Sequence, residues 1–444
     1  KLPPIKMCDS TKSTNATTNS NPSSSNKDDG TKKTTSTTTI ADLVSTQLGT
    51  IQEHITTMKL NDDQTSSYMM ELRKLLEQQY PSAMGGSRIS SNILDCIGQT
   101  KLVRINTPFV VTDTGGSDGG VRRGDVVAKL EYTNPALSVK DRIAKEMILD
   151  AQTDGTITPG HSVIIDITSG NTGIGYGIVA AALGYHAIQV IPEPFSIERR
   201  AMMMAAGVEV VVSRKEDGMP GAIKVYNELL AKYGDRAYSP RQFENESNIK
   251  AHYEHTGPEI WEQCDGQIDA IVTAYGTGGS ISGITKFLRE KNPNFKAIAV
   301  EPMEQSHFNG DKPGPHGIQG IVPPFMADNL KVEEIDEVIR CPTTTALETS
   351  RQLAREEGIL VGISSGANVW AACQVASRPE FHNKRIVTIL CSAAERYLTT
   401  PLYGPLMEEA KDLPLATFDP NTKATGFHTN NLQSHKDNGT VFRP

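Results

Sequence analysis

Apolar runs alternate with helical patterns along most of the chain from about residue 93. Short runs of mainly apolar, β-branched residues predict strands, and apolar residues at three- and four-residue steps predict helices. Strands that are apolar on both faces and separated by helices are typical of parallel sheets covered by helices on each side. The predicted strands are 126–130, 163–167, 188–191, 208–212, 268–274, 297–300 and 386–390, and the predicted helices are 174–183, 197–206, 222–232, 281–290, 344–357 and 368–376.

The length of this alternating pattern bears on the architecture. It continues for about 300 residues, which is more than one sheet of ordinary size accommodates. The sequence therefore predicts an α/β fold with two lobes and a cleft, built on parallel-rich sheets flanked by helices.

Three further parts of the chain have a different character. Residues 1–39 are more than half Ser, Thr and Asn and contain almost nothing that could be buried, so we expect them to be disordered. Apolar residues at helical spacing then predict a helical N-terminal extension over 40–83. The main domain should cover 84–413, and the polar residues 414–444 should form a loose C-terminal tail.

Composition and charge remove several classes of function. The 444 residues carry 44 basic and 52 acidic side chains without a block of basic residues, which argues against a nucleic acid as the main partner. The sequence contains no run of 18 apolar residues, so no membrane span is predicted. The six scattered cysteines favour a reduced, cytoplasmic protein without a metal site. The lysine-bearing, acid-poor N-terminal segment keeps a plastid or mitochondrion as alternatives, although it contains no Arg.

The first candidate for chemistry is a lysine at the predicted start of a helix. Asn134 and Pro135 end the preceding strand, and Ser138 can cap a helix that starts near Val139. Lys140 then lies in the first turn, near the positive end of the helix dipole. That position and burial in a cleft lower the pKa of a lysine and free its amine to attack an aldehyde. Taken alone, an ordinary surface lysine remains the alternative.

Two glycine-rich junctions between a strand and a helix supply free backbone amides. Thr-Ser-Gly-Asn-Thr-Gly at 168–173 adds hydroxyls and the carboxamide of Asn171, which suits a carboxylate beside a phenolic oxygen of a cofactor ring. Gly-Thr-Gly-Gly-Ser at 276–280 suits a small phosphate group. Neither segment has the lysine of a nucleoside-triphosphate loop, and the first lacks the third glycine of a dinucleotide fingerprint. An ordinary turn remains possible for the first.

A fourth segment, Gly-Ile-Ser-Ser-Gly at 362–366, also precedes a helix. Its serine hydroxyls could face a heterocyclic nitrogen, and a capped helix start explains the residues equally well. In this order, a reactive lysine, a carboxylate loop and a phosphate cradle are the equipment that pyridoxal phosphate and an amino acid require.

Together the four segments resemble those of the fold type II pyridoxal-phosphate enzymes, whose fold is that of the tryptophan synthase β subunit. Within that group they are similar to cysteine synthase, or O-acetylserine sulfhydrylase, and to cystathionine β-synthase. The resemblance covers about 90–400 and includes Ile-Gly-Gln-Thr-Lys-Leu-Val-Arg at 97–104 and Glu-Arg-Tyr-Leu at 395–398.

The resemblance implies a role for each matching residue. Lys140 would form the Schiff base with pyridoxal phosphate and act as the catalytic residue. Asn171 would contact the cofactor hydroxyl, and Ser364 its pyridine nitrogen. The implied phosphate cradle consists of Gly276, Thr277, Gly278, Gly279 and Ser280. The implied substrate contacts are Thr168, Ser169, Gly170, Thr172 and Gln242.

The activity that this resemblance implies is a β-replacement. O-acetylserine would lose acetate after Lys140 removes the α-proton, and sulfide would add to give cysteine. A serine beside the pyridine nitrogen does not protonate the ring as an aspartate would, which suits rapid loss of a β-substituent. Cystathionine β-synthase without a regulatory domain, β-cyanoalanine synthase and a pyridoxal-phosphate binding protein without turnover remain alternatives. The family further implies a homodimer and the docking of a serine acetyltransferase tail.

Some positions depart from the family pattern. The motif Gly-Ile-Gln-Gly-Ile at 317–321 is present, but Val322, Pro323 and Pro324 follow it where the family has glycine and a small residue. Ser-Ala-Ala at 392–394 replaces the usual acidic residue, small residue and glycine, and the methionines at 202–204 are uncommon. Because 322–324 lies near the mouth of the site, it puts the substrate preference in doubt.

Overall fold

The computed structural model describes residues 89–107, 124–168 and 170–413, and from Ser90 onward these belong to one compact unit. The predictions for 1–39, 40–83 and 414–444 lie outside the described residues. Within the described ranges, no helix is both long and apolar enough to cross a membrane.

Within residues 89–107, 124–168 and 170–413, ten strands form two sheets. The strands are β1 (Leu102–Arg104), β2 (Asp125–Lys129), β3 (Val163–Ile167), β4 (His186–Pro192), β5 (Glu209–Ser213), β6 (Ala237–Tyr238), β7 (Ala270–Ala274), β8 (Lys296–Pro302), β9 (Glu337–Cys341) and β10 (Arg385–Ile389). One sheet has the order β1-β2-β10-β7-β8-β9, with β1 antiparallel and the other neighbours parallel. The other sheet, β5-β4-β3-β6, is parallel throughout.

Helices cover these sheets and account for their continuous apolar strands. The helices are α1 (Lys140–Thr153), α2 (Asn171–Leu183), α3 (Ile197–Ala205), α4 (Gly218–Tyr233), α5 (Ser247–Ala251), α6 (Gly257–Gln263), α7 (Gly279–Lys291), α8 (Thr343–Glu356), α9 (Ile363–Ala376) and α10 (Gly404–Lys411). Apolar residues of α8 and α9 join those of the six-stranded sheet in one core cluster. Apolar residues of α1 and α2 join those of β3 and β4 in another. The predicted α/β class with two parallel-rich sheets is confirmed.

The predicted boundaries hold to within a few residues, and the differences have a physical cause. Strand 163–167 agrees with β3 at both ends. Helices α2, α7 and α9 begin two to five residues before their apolar pattern does. Their first turns consist mainly of glycine and polar residues, with a single isoleucine in each, so they show no apolar periodicity.

Four buried charged residues connect the six-stranded sheet to α1, and we call them the buried ion network: Lys129, Glu131, Arg142 and Glu259. The Arg142 guanidinium lies 2.7 Å from carboxylate oxygens of both Glu131 and Glu259. Lys129 Nζ lies 2.7 Å from the same oxygen of Glu259. The network thus joins β2 and α6 to the helix that starts at Lys140.

The parallel strands place two of the four candidate segments, 168–173 and 276–280, at the carboxyl ends of strands. Residues that follow the carboxyl ends of parallel strands meet at one edge, where α/β proteins bind their ligands. Here β3 leads into Thr168, β7 into Gly276 and β10 into Cys391.

Candidate active site

One pocket brings segments from all four candidate motifs together. Its empty space, including solvent at the open mouth, is about 650 Å³. Seven of the candidate site residues line it: Lys140, Asn171, Gly276, Thr277, Gly278, Ser280 and Ser364. Of the other candidates, Thr168, Gly170, Thr172, Gln242 and Gly279 are not in this lining, and Ser169 lies outside the described residues.

Lys140 is the first residue of α1, one residue later than predicted. The N-cap of α1 is Val139 and has no side-chain cap bond, so the predicted cap by Ser138 is wrong; the Ser138 hydroxyl oxygen accepts a hydrogen bond from the Lys140 amide at 3.2 Å from one residue further upstream. Burial lowers the pKa of the Lys140 ammonium group from its usual value, although the Cys391 thiolate would raise it. Within the described ranges, no carboxylate forms an ion pair with Lys140. A neutral amine is therefore easier to form at this position than on an exposed lysine.

A buried arginine orients the carboxamide of Asn171. Arg396 Nη1 donates to Asn171 Oδ1 at 2.6 Å, and Arg396 Nη2 also donates to the Ala136 carbonyl oxygen. Because Oδ1 already accepts a hydrogen bond from Arg396, the Nδ2 group is the part of Asn171 that remains to donate to a ligand. The Glu-Arg-Tyr motif was recognised in the sequence, but this contact was not expected.

The loop at 168–173, which we call the carboxylate loop, is held together by hydrogen bonds to the side chain of Thr168. Thr168 Oγ1 accepts hydrogen bonds from the amides of Gly170 at 3.1 Å and Gly173 at 3.3 Å. The Thr172 hydroxyl donates to Gln242 Oε1 at 2.7 Å, and both side chains are buried. The structure thus brings Gln242 to the loop, as the resemblance implied, and leaves its Nε2 group as a donor.

The phosphate cradle combines free amides with two positioned hydroxyls. Helix α7 begins at Gly279, so the amides of its first turn have no acceptor within the helix. Gly278 has φ +85, and an added Cβ would collide with the backbone at Leu330. The Thr277 hydroxyl oxygen accepts from Asn248 Nδ2 at 2.9 Å, and Ser280 Oγ lies 2.9 Å from His252 Nε2.

The two histidines that stand close together in sequence lie in different environments. His252 is buried between Ser280 and Thr256, and burial lowers the pKa of its imidazole to about 3. A neutral ring can therefore orient the Ser280 hydroxyl. His255 is exposed and lies 3.4 Å from Glu146, so the two rings do not share a ligand position.

Ser364 shares its part of the pocket with a cysteine that the sequence did not single out. Cys391 lies two residues after the end of β10 and lines the pocket, and its amide donates to Ser365 Oγ at 3.0 Å. Burial raises the pKa of the Cys391 thiol, whereas the charge of Lys140 and a hydrogen bond from Ser364 lower it. The site therefore contains a thiol next to the two residues expected to hold the ends of a cofactor ring.

The segment after Ile321 is held in a strained conformation. Val322 has φ +43, which is unfavourable for a β-branched residue, and it is buried. Its amide donates to the Tyr275 carbonyl oxygen at 2.9 Å. Phe325 packs edge-on against Phe243 with ring centroids 5.0 Å apart. The segment that departs from the family pattern is therefore attached to Tyr275, which follows β7, and to Phe243, which follows Gln242.

Asp166 adds a pH-dependent element just before the carboxylate loop. It is buried on β3, and burial raises the pKa of its carboxyl group to about 7, although hydrogen bonds from the Ile167 amide and the Tyr176 hydroxyl lower it. The unfolded chain releases the same proton near pH 4. Because the folded protein binds this proton more tightly, the free energy of unfolding falls as pH rises from about 4 to about 7.

We expect Asp166→Asn to remove that loss, because asparagine stays neutral at every pH. The gain over the wild type should grow with pH and reach at most about 4 kcal/mol at pH 8, at about 1.4 kcal/mol per unit of pKa difference. Melting temperatures at pH 5 and pH 8 measure it, with the exposed Asp328→Asn as the control. A difference from the wild type that is the same at both pH values would contradict this expectation.

Comparison with known proteins gives consistent matches. Residues 93–392 match the family model described as pyridoxal-phosphate dependent enzyme. Cysteine synthase 3 of Caenorhabditis elegans is 43% identical over 321 residues, which cover 72% of this chain and 93% of the relative.

Two solved structures are similar in fold and sequence. The cysteine synthase of Entamoeba histolytica has 38% identity and a TM-score of 0.67, and the match covers 74% of this chain and 94% of that one. The O-acetylserine dependent cystathionine β-synthase of Helicobacter pylori has 35% identity and a TM-score of 0.64, with coverage of 71% and 99%.

Proposed function

This chain belongs to the family of pyridoxal-phosphate dependent enzymes, and we propose that it is a cysteine synthase, which replaces the acetate group of O-acetylserine by sulfide. The observation that carries the proposal is the meeting of Lys140, Asn171, Ser364 and the 276–280 segment around one pocket. Relatives that are named cysteine synthases and match most of the chain support the same reaction.

The residues around the pocket fit pyridoxal phosphate. The first-turn amides of α7 and the hydroxyls of Thr277 and Ser280 are suited to a phosphate dianion. Asn171 Nδ2 is oriented to donate to the phenolic oxygen, and Ser364 lies where it can meet the pyridine nitrogen. When bound, pyridoxal phosphate supplies an aldehyde that links to amines and a ring that withdraws electrons from the α-carbon of an amino acid.

Lys140 has two kinds of task in this proposal. Its amine would hold the cofactor covalently when no amino acid is bound. Once an amino acid is bound, the same amine would take the α-proton as a general base, a role that a lowered pKa favours.

The substrate carboxylate is assigned to the loop at Thr168, Ser169, Gly170 and Thr172, with Gln242 as a further contact. Gln242 Oε1 accepts a hydrogen bond from the Thr172 hydroxyl, which leaves Gln242 Nε2 to donate to the carboxylate. Ser364 offers a hydroxyl rather than an acid, so it leaves the pyridine nitrogen unprotonated and favours prompt loss of acetate.

The proposal is tested by supplying the purified holoenzyme with O-acetylserine and sulfide and measuring cysteine and acetate. We expect equal amounts of both products, with homocysteine and cyanide as poorer replacements for sulfide. If only homocysteine yields product, cystathionine synthesis replaces the proposal. If the cofactor binds and no amino acid reacts, the protein is a pyridoxal-phosphate binding protein without turnover.

The second candidate function is the synthesis of cystathionine from O-acetylserine. One similar solved structure is an O-acetylserine dependent cystathionine β-synthase. The strained Val322, which departs from the family pattern, directly follows Ile321 of the pocket lining. β-Cyanoalanine synthesis is decided by the cyanide arm of the same experiment.

We further propose, from the family resemblance, that the protein forms a homodimer and docks the C-terminal tail of a serine acetyltransferase. We place it in the cytoplasm, with a plastid or mitochondrion as alternatives. Light scattering of the purified protein and titration with a serine acetyltransferase tail peptide test the first two points. Microscopy of the fluorescently tagged protein tests the third.

A further inference from the structure

A buried asparagine outside the pocket lining touches both halves of the site. Asn248 lies on α5 and has no exposed surface. Its Nδ2 group donates to the Gln242 carbonyl oxygen at 2.7 Å and to Thr277 Oγ1 at 2.9 Å. One carboxamide therefore holds the residue assigned to the substrate carboxylate and a residue assigned to the cofactor phosphate.

The contact with Thr277 has a directional consequence. Thr277 Oγ1 accepts a hydrogen bond from Asn248 Nδ2. The Thr277 hydroxyl is therefore left to donate its own hydrogen bond into the pocket that Thr277 lines. A hydroxyl oriented in this way is a stronger partner for a phosphate than a freely rotating one, since it loses less entropy on binding.

The contact with Gln242 is shared with a second asparagine. Asn329 Nδ2 donates to the same Gln242 carbonyl oxygen at 3.0 Å, and Asn329 is also buried. With its main chain held from two sides, the Gln242 side chain is directed to Thr172 at 2.7 Å. Asn329 is not bonded to Thr277, so the two asparagines differ in one relevant contact.

The packing around Asn248 leaves it no alternative position. An added Cβ at Gly279 would collide with Asn248 Oδ1, so the carboxamide is wedged against the start of α7. In the part of the chain that the structure describes, Asn248 Oδ1 has no hydrogen-bond partner. A buried acceptor left unpaired costs stability, about 1–3 kcal/mol for a typical group. The side chain is therefore best explained by what its two donor bonds achieve.

We propose that Asn248 is a positioning residue that couples the amino-acid carboxylate side of the site to the cofactor phosphate side. The inference rests on the proposed function, because it uses the ligand assignments of Gln242 and Thr277. Removing the two donor bonds of Asn248 should weaken the binding of both pyridoxal phosphate and O-acetylserine, although Asn248 does not line the pocket.

Replacing Asn248 by alanine removes both donor bonds. We expect about a three- to tenfold higher dissociation constant for pyridoxal phosphate and a similar rise in KM for O-acetylserine, the size of one net hydrogen bond each. At saturating cofactor and substrate, kcat should stay within about threefold, since Lys140 is untouched. Dialysis of the holoenzyme gives the cofactor constant, and initial rates give KM and kcat.

Two matched variants separate coupling from general loosening. Asn329→Ala loses its bonds to the main-chain oxygens of Gln242 and Asn245 and no bond to Thr277, so KM should rise while the cofactor constant stays unchanged. Thr277→Val loses both the bond to Asn248 and the hydroxyl assigned to the phosphate, and it leaves the bond from Asn248 to the Gln242 main chain in place. Adding Asn248→Ala to Thr277→Val should raise KM without further weakening the cofactor, because that contact is already absent.

Several outcomes would overturn the proposal. Asn248→Ala could lower the melting temperature and leave both the cofactor constant and KM unmoved, which would make Asn248 purely structural. Asn329→Ala could weaken the cofactor as much as Asn248→Ala does, which would indicate general loosening. If Asn248→Ala does not fold, Asn248→Ser, which keeps one donor, is measured in the same way and should show smaller shifts in the same direction.

Failure of the proposed function would look different. If the protein makes no cysteine, the KM arm is replaced by the dissociation constant of O-acetylserine, and the cofactor arm is unaffected. The cysteine synthase proposal would be rejected if no variant turned over. The proposed coupling would still stand if Asn248→Ala raised the dissociation constants of both pyridoxal phosphate and O-acetylserine.

Discussion

Replacing Lys140 by alanine is expected to abolish β-replacement, with kcat falling by about 10³-fold or more. Lys140 is assigned both the covalent hold on the cofactor and the removal of the α-proton, and loss of a general base alone costs about 10²–10⁴-fold. Stability should change little, because no carboxylate in the described ranges forms an ion pair with this amine. Cysteine formation from O-acetylserine and sulfide, with a melting curve on the same sample, measures both.

A second readout makes this result specific to Lys140. Borohydride treatment of the wild-type holoenzyme should attach the cofactor to the peptide containing Lys140, and mass spectrometry should find no such attachment in Lys140→Ala. Lys145→Ala is the matched control, since Lys145 lies on the same helix and donates to the Leu94 carbonyl oxygen outside the pocket. Retained turnover in Lys140→Ala, or attachment at another lysine, would refute the assignment.

The parts of the site that could be predicted from sequence are local in the chain. The cradle at 276–280 and the loop at 168–173 each stand between one strand and one helix, so their residue types alone indicate free amides. Lys140 could be found because a helix start is readable from Asn134 and Pro135. No segment is decisive alone, since each has an ordinary explanation, and their order along the chain makes the case.

The positioning residues could not be predicted, because their partners are distant in sequence. Arg396 was noted within its motif, but Asn171, which it orients, is 225 positions away. Asn248 stands in a stretch without any motif, and its contact with Thr277 depends on how α5 packs against α7. Cys391 was within reach, since it directly follows a predicted strand whose carboxyl end faces the pocket.

The fold shows the same division. Strands such as β3 are apolar on both faces and are readable as runs. Strands β1 and β9 are only partly buried and carry arginine and glutamate, so they form no apolar run and were missed. The two-residue β6 is too short to leave any pattern.

The buried ion network accounts for the largest stability effect that we expect. Burial raises the pKa of Glu131, but the Arg142 guanidinium outweighs it and brings the pKa to about 2. Because this pKa lies below its unfolded value, the stability contributed by Glu131 is present above about pH 4.5 and is lost as pH falls toward 2. Glu259 balances two cations at once, Lys129 and Arg142, both of which are buried.

Glu259→Ala should therefore lower the free energy of unfolding by about 3–5 kcal/mol, because it leaves Lys129 buried without its carboxylate and Arg142 with only Glu131. Urea denaturation measures the loss. Glu337→Ala is the matched control: it breaks the similarly short but half-exposed pair with Arg378, at 2.7 Å, and should cost less than about 1 kcal/mol. Equal losses in the two variants would show that burial does not set the worth of these charges. A larger loss for Glu259→Ala, together with weaker cofactor attachment at Lys140, would show that the network also holds the start of α1 in place.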